Sequence, residues 1–406
     1  VGKHIGVRFP ADDGAGAAAG ERLFFQPADI LTFFEIQVIV HAIAVNIRSH
    51  PFTGILGGAK AKAVQAKGKV IVAAALAIFA SRVQFAEHKI PVPAFFSFIV
   101  IDGDTAAKVL YFHRVIRVKG NVDFVAVAVT RFIYWLKHTI GKEPITEMSA
   151  AKKLESLRAE GEHFLDQSFG PILSYGAHGA IVHYAPTEES DIPMEPHGFC
   201  LADSGAQYYE GTTDITRTIA LGALTEEEKR IYTLVLRGHL QLGAAKFLHG
   251  CTGETLDMLA RAPLWEAGLD YNHGTGHGVG FVLGVHEGPE RVHWDVNRQK
   301  RHCVIEEGMI FSNEPGMYLA GKFGVRVENL VVVRKAEENE YGRFLALEPL
   351  TLVPYDRDAL DLTLLTSRDV ELMNNYHAKV YAAISPHLAG DELAWLKDVT
   401  APVTFG

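Results

Sequence analysis

Five residues in the second half of the chain carry the side chains of a metal centre: Asp203, Asp214, His277, Glu314 and Glu328. They stand in the phrases LADSGAQYYEGTTDITRT, HGTGHGVG, FSNEPG and VRVEN. Four carboxylates and one imidazole form an oxygen-rich donor set with a single nitrogen. Such a set suits Mn²⁺, Zn²⁺ or Fe²⁺ better than ions that prefer thiolate. Four carboxylates are too many for one catalytic ion that must keep a position open. They suffice for two ions joined by shared carboxylates, an arrangement that activates a water. The chemistry expected is two-metal hydrolysis.

These groups need elements that bring them together. A tight turn at Glu210-Gly211 joins two predicted strands, and a two-residue turn places Asp203 and Asp214 on one sheet face by parity. They would not lie opposite each other, so convergence calls for a bulge near Ser204-Gly205. In HGTGHGVG, glycines at 274, 276, 278 and 280 disfavour helix. Read as a strand, the segment puts His273, Thr275, His277 and Val279 on one face and only hydrogens on the other. The bare face lets another backbone come close. Glu314 follows Met309-Ile310-Phe311, and Pro315-Gly316 ends that strand. Glu328 lies in a strand expected over 323–333, entered from a turn around Ala320-Gly321. A carboxylate among Val325, Val327, Leu330 and Val332 is costly to bury unless bound or paired.

Helices are expected around these strands. Ser149 is positioned to cap a helix running to Gln167, with Leu154, Leu157, Phe164 and Leu165 near one face. Thr225 and Glu228 form a capping box. Ile231, Leu234, Val235, Leu242 and Ala245 give that helix its apolar stripe, and Gly250 is its expected stop. A third helix is expected over 255–267. Helices packed on a curved antiparallel sheet make an α+β fold.

From Thr146 to Phe405 the chain resembles Xaa-Pro aminopeptidase, also called aminopeptidase P, of the pita-bread metallopeptidase group. The resemblance rests on DSGAQY, GTTD, TRT, HGTGHGVG, VHEGP, NEPG, KFGVRVEN and LEPLTLVP. It implies a pita-bread (creatinase/aminopeptidase) catalytic domain over 121–355, a helical extension over 356–406 and an N-terminal α/β domain over 1–120. It implies two divalent ions per chain, best Mn²⁺, with Zn²⁺ or other divalent ions also fitting. Asp203 would be the terminal carboxylate of one ion, His277 and Glu314 would hold the other, and Asp214 and Glu328 would bridge. Glu314 would also be the general base. His183 (IVHYAP) and His286 (GVHEGP) match histidines that contact the peptide and stabilise the charged intermediate. His273 matches a substrate-side histidine. Arg326 matches an arginine that would orient a site carboxylate through a bidentate pair. The implied substrates are peptides with proline second, cleaved by a homodimer. Two alternatives use the same fold: a prolidase-like dipeptidase, and a binding module that has lost its ligands. Retention of all five positions argues against the second. His163, His178, His197, His239, His249, His293, His302 and His377 lack such context and are read as structural.

Composition sets the remaining bounds. The chain has 406 residues and a net charge of −9, which gives no electrostatic footprint for nucleic acid. Cys200, Cys251 and Cys303 lack metal-ligand spacing, which fits a reducing, cytoplasmic setting. No apolar run reaches the roughly 18 residues of a membrane span, and Asp12, Asp13 and Gly14 interrupt any signal-like stretch. Charge shifts near residue 120: 14 basic and 8 acidic residues before it, 25 and 40 after it. Residues 1–120 hold no Met, no Trp and only Tyr111, and resemble the family faintly, around Pro91–Phe112. Either they form a divergent domain or their letters are partly wrong, for example through a frame error. The second reading expects charges such as Lys67, Arg82 or Arg117 in apolar interiors.

Overall fold

The computed structural model describes residues 122–295 and 302–404, together with the backbone of four short strands before them. Those strands are β1 (Val64–Ala66), β2 (Lys69–Ile71), β3 (Phe98–Asp102) and β4 (Lys108–Leu110), in the sheet order β1-β2-β3-β4. They fall in one compact unit up to Val109, and the chain from Leu110, the last residue of β4, falls in another. The expected positions of Lys67, Arg82 and Arg117 lie outside the described residues.

The second unit opens with α1 (Val122–Thr139) and α2 (Glu147–Ala159). Strands β5 (Phe164–Gln167), β6 (Ile172–Tyr175), β7 (Phe199–Ser204), β8 (Ala206–Tyr208), β9 (Gly211–Thr212) and β10 (Ile215–Ala220) follow. Next come α3 (Glu226–Gly243), β11 (Lys246–Leu248), α4 (Gly253–Glu266), β12 (Gly276–His277) and β13 (Arg291–Val292). The chain then lays down β14 (Ile310–Asn313), β15 (Gly316–Leu319), β16 (Phe323–Arg326), β17 (Asn329–Asn339) and β18 (Gly342–Pro349). It closes with α5 (Ser367–Ile384) and α6 (Gly390–Val399). Helices packed on antiparallel sheets give the α+β class expected.

Two sheets carry the candidate carboxylates. One has the order β10-β7-β6, with Asp203 opposite Thr216 and Ser204 opposite Ile215. The other has the order β11-β18-β17-β14, with Asn313 opposite Asn329. Every residue of β7 and β10 is buried, so that sheet is covered on both faces. The larger core gathers Phe132 and Leu136 of α1, Leu154 of α2, Val235 of α3, and Met373 and Val380 of α5. No helix among the described residues is long and apolar enough to cross a membrane.

Three helix boundaries differ from expectation. Thr146, not Ser149, caps α2: its side chain accepts from the Ser149 N–H, and the Ser149 hydroxyl accepts from the Thr146 N–H. That helix stops at Ala159, where the chain turns through Gly161 and His163 (φ +67°) into β5. The Thr225–Glu228 capping box is present, but α3 ends at Gly243 rather than Gly250. Lys246–Leu248 gives its backbone hydrogen bonds to β18 instead, so a sheet partner outcompetes helix continuation.

Candidate metal centre

Asp203 sits near the end of β7, and Asp214 immediately precedes β10. Tyr208 pairs with Gly211, so the two-residue turn is Tyr209-Glu210, one residue earlier than read. The expected bulge is a full break. At Gly205 the chain leaves one sheet for another, and a Cβ there would meet Ser168 Oγ at 2.0 Å and the Thr213 carbonyl oxygen at 2.1 Å. Only glycine fits, and the break brings the two aspartates together.

His277 lies on β12, held by its N–H to the Ser312 hydroxyl at 3.0 Å. The bare face of the glycine run is used as expected. A Cβ on Gly276 would meet the Ser312 carbonyl oxygen at 2.0 Å, and one on Gly278 would meet that of Glu287 at 2.2 Å. The His277 Nδ1 donates to the Gly278 carbonyl at 3.0 Å, because a carbonyl only accepts. That leaves the Nε2 lone pair facing Glu314 Oε1 at 3.2 Å and Asp214 Oδ2 at 3.6 Å. Glu314 follows β14 and is fixed by its N–H to the Thr275 carbonyl at 2.8 Å. Glu328 occupies a break between β16 and β17, not the interior of one strand. It is 1 % exposed, and its Oε2 accepts from the Thr216 hydroxyl at 2.7 Å. Donor atoms of Asp214, His277 and Glu328 all lie within 4.8 Å of one another.

The electrostatics ask for cations. Burial, then neighbouring carboxylates, push Asp214 and Glu328 well above the usual carboxylate range. Burial pushes Glu314 up to about 7, with Arg326 opposing and Asp203 adding. Two buried oxygens, Asp203 Oδ1 and Glu328 Oε1, find no hydrogen-bond partner among the described residues. Orphaned carboxylate oxygens in a cluster of four acids match hard, oxygen-seeking divalent ions, and the one imidazole fits Mn²⁺ or Zn²⁺. No cysteine belongs to this cluster. Cys200 is buried, and burial pushes its thiol up.

Arg326 does touch a site carboxylate, but not as a bidentate fork. Its Nη2 reaches Asp203 Oδ2 at 2.5 Å, its Nε the Thr216 hydroxyl at 3.1 Å, and its Nη1 the Tyr318 hydroxyl at 2.7 Å. With the Val182 carbonyl, 3.4 Å from Nη1, four separate acceptors divide the guanidinium. The Tyr318 hydroxyl in turn donates to His273 Nε2 at 2.9 Å, because His273 Nδ1 donates to the Gly274 carbonyl at 2.7 Å. Burial, then Arg326, drop His273 to about 3, so it stays neutral. His286 stands edge-on to His277 with ring centroids 4.2 Å apart. His183 is exposed, and it lies close enough to both His273 and His286 to help lower them. The three histidines thus face one region beside the acids. Thr216 and Tyr318 were not read from the sequence. A signal for Tyr318 existed: it pairs across a hairpin with Gly324, whose missing side chain admits the ring.

Comparisons with known proteins agree with this geometry. Residues 118–335 match the metallopeptidase family M24, and residues 343–403 match the C-terminal region of that family. Aminopeptidase P1 of Arabidopsis thaliana is 46 % identical over 263 residues, covering 64 % of this chain and 40 % of that protein. A probable Xaa-Pro aminopeptidase P of Fusarium vanettenii is 46 % identical over 283 residues, covering 68 % and 45 %. The crystal structure of X-prolyl aminopeptidase from Caenorhabditis elegans, described as a cytosolic enzyme with a di-nuclear active site, superposes with a TM-score of 0.66. It shares 36 % identity, covering 70 % of this chain and 46 % of that one. The chain therefore spans less than half the length of these relatives. With the family motifs, the pita-bread α+β fold and the clustered acids in agreement, the chain belongs to metallopeptidase family M24.

Proposed function

We propose that this chain carries the catalytic part of a two-metal aminopeptidase that releases the first residue of peptides with proline second. The observation that carries the reading is the gathering of Asp214, His277 and Glu328 within 4.8 Å, beside Glu314. Similarity to aminopeptidase P proteins supports the substrate class. In this reading Asp203 serves one ion, His277 and Glu314 the other, and Asp214 and Glu328 both. Mn²⁺ suits this donor set best. When bound, the ions supply a polarised carbonyl and a water of lowered pKa.

The side chains do the rest. Glu314 takes a proton at its carboxylate and passes it to the leaving nitrogen. Proline makes that step demanding, because its tertiary amide nitrogen carries no hydrogen of its own. His183 and His286 donate N–H groups to the carbonyl oxygen as charge builds there. His273 and Arg326, joined through Tyr318, shape the substrate side. The domain division at residues 120 and 355, a homodimer and a cytoplasmic setting belong to the same proposal.

A peptide panel with metal add-back tests it. Chelation is expected to abolish cleavage, with Mn²⁺ restoring it best. Xaa-Pro-Yaa peptides should lose their first residue, while Xaa-Ala-Yaa peptides are cut far more slowly. Cleavage confined to Xaa-Pro dipeptides would move the assignment to a prolidase-type dipeptidase.

A further inference from the structure

Behind the candidate ligands lies a second buried polar cluster, centred on Arg217 of β10. Arg217 is 2 % exposed, yet among the described residues no carboxylate is a hydrogen-bond partner of it. Its Nη1 donates to the carbonyls of Glu328 at 2.6 Å and Thr216 at 2.9 Å. Its Nη2 donates to Asn329 Oδ1 at 2.8 Å, the Val353 carbonyl at 2.8 Å and the Tyr376 hydroxyl at 3.1 Å. The Tyr376 hydroxyl on α5 also accepts from the Val353 N–H at 3.2 Å and reaches the Val353 carbonyl at 2.9 Å.

A second arm leaves from Tyr355, which stacks on Tyr376 with ring centroids 4.3 Å apart. The Tyr355 hydroxyl accepts from Asn329 Nδ2 at 3.0 Å and donates to His239 Nε2 at 2.9 Å. His239 Nδ1 donates to the Asn313 carbonyl at 3.1 Å, and Asn313 Nδ2 donates to the His239 carbonyl at 2.9 Å. Asn313 immediately precedes Glu314, Asn329 immediately follows Glu328, and the two asparagines are cross-strand partners. One network therefore grips the backbone beside two candidate ligands, and its far end is α5, in the C-terminal segment.

We propose that the C-terminal segment is part of the metal centre: Tyr376, acting through Arg217 and Tyr355, positions Glu314 and Glu328 and so sets metal affinity. This rests on the reading that those glutamates bind ions. Tyr376 touches neither ion nor substrate and is a positioning residue. Loss of its hydroxyl removes an acceptor from a buried guanidinium and a clamp from Thr351 and Val353. The strain then falls on the Glu328 carbonyl, the next fixed point.

The test is calorimetric titration of the metal-stripped full chain with Mn²⁺, alongside thermal unfolding. Tyr376→Phe is expected to weaken Mn²⁺ binding about 10-fold, the scale for groups that orient ligands. Tyr355→Phe, which cuts the arm to His239, should act in the same direction. Val380→Ala, a buried α5 position outside the network, should lower the Tm and leave Mn²⁺ affinity unchanged. Wild-type affinity in both tyrosine variants overturns the proposal. So does an equal loss in Val380→Ala, which would mean that helix packing alone matters. A wild-type chain that takes up no Mn²⁺ would overturn the metal reading itself, before any variant is compared.

Discussion

Two buried polar clusters sit back to back, and they handle polarity in opposite ways. Among the described residues, the acidic cluster of Asp203, Asp214, Glu314 and Glu328 leaves Asp203 Oδ1 and Glu328 Oε1 without donors. The cluster around Arg217 holds a fully buried cation with no acid, yet carbonyls, an amide and a hydroxyl absorb every arm of it. Among the described residues, the atoms there without partners are Asn313 Oδ1 and His377 Nδ1, both uncharged. An orphaned charge in a protein interior costs far more than an orphaned neutral atom. The difference separates a site built for a ligand from a scaffold that satisfies itself. Two buried arginines mark the boundary: Arg326 faces the acids, and Arg217 faces away from them.

The largest test of that contrast removes a carboxylate on the acidic side. Asp214→Asn or Glu328→Gln should lower kcat/KM by about 10³-fold, the upper scale for removing a principal electrostatic group, because each residue is proposed to serve both ions. Metal content measured alongside should fall, and full activity in either variant would remove the two-ion assignment. A smaller effect is expected from Tyr318→Phe, which breaks the Arg326–Tyr318–His273 chain without touching a candidate ligand. Turnover should fall about 10-fold, the low end for groups that orient a site, with metal content unchanged. Loss of metal from that variant would show that Tyr318 belongs with the carboxylates.

The third test is pH. In the metal-free protein Glu314 is raised from 4.5 to about 7, and Asp214 and Glu328 shift in the same direction. A carboxyl whose folded pKa exceeds its unfolded value gives stability that is complete below the unfolded pKa. That stability is lost as pH rises through the folded pKa. The metal-free Tm should therefore drop between pH 4.5 and 7, with buried Glu290, also raised to about 7, adding to the fall. Saturating Mn²⁺ should reverse the slope, because ions bind the ionised acids. Thermal unfolding across that range, with and without Mn²⁺, checks both slopes. A metal-free Tm that is flat or rises would mean the acids are already neutralised by the protein.

The sequence was most readable where structure is local. The Thr225–Glu228 box, the bare glycine face of HGTGHGVG, of which only Gly276–His277 is strand, and the irregularity near Ser204-Gly205 all involve residues within a few positions of one another. The misreadings were local competitions too. Ser149 is a plausible cap, but Thr146 three residues earlier engages it reciprocally. Phe164 and Leu165 continue an apolar pattern that β8 captures as a strand partner. Of the candidate residues, the acids and His277 could be picked out by type and phrase, whereas Tyr318, Arg217 and Tyr376 could not. An aromatic or basic residue in a strand or helix is ordinarily core or surface, and nothing nearby in the chain says which.

By itself the sequence determined the donor set, its order, and the glycines that let backbones close around it. These depend on residue type and on periods of two to four residues. The tertiary structure alone decided which oxygens stay without donors and which residues grip the ligand backbones. Arg326 meets Asp203 across 123 positions, and Arg217 meets Tyr376 across 159. Pairings at that separation follow from how sheets and helices stack to bury their apolar faces, and no local period encodes them.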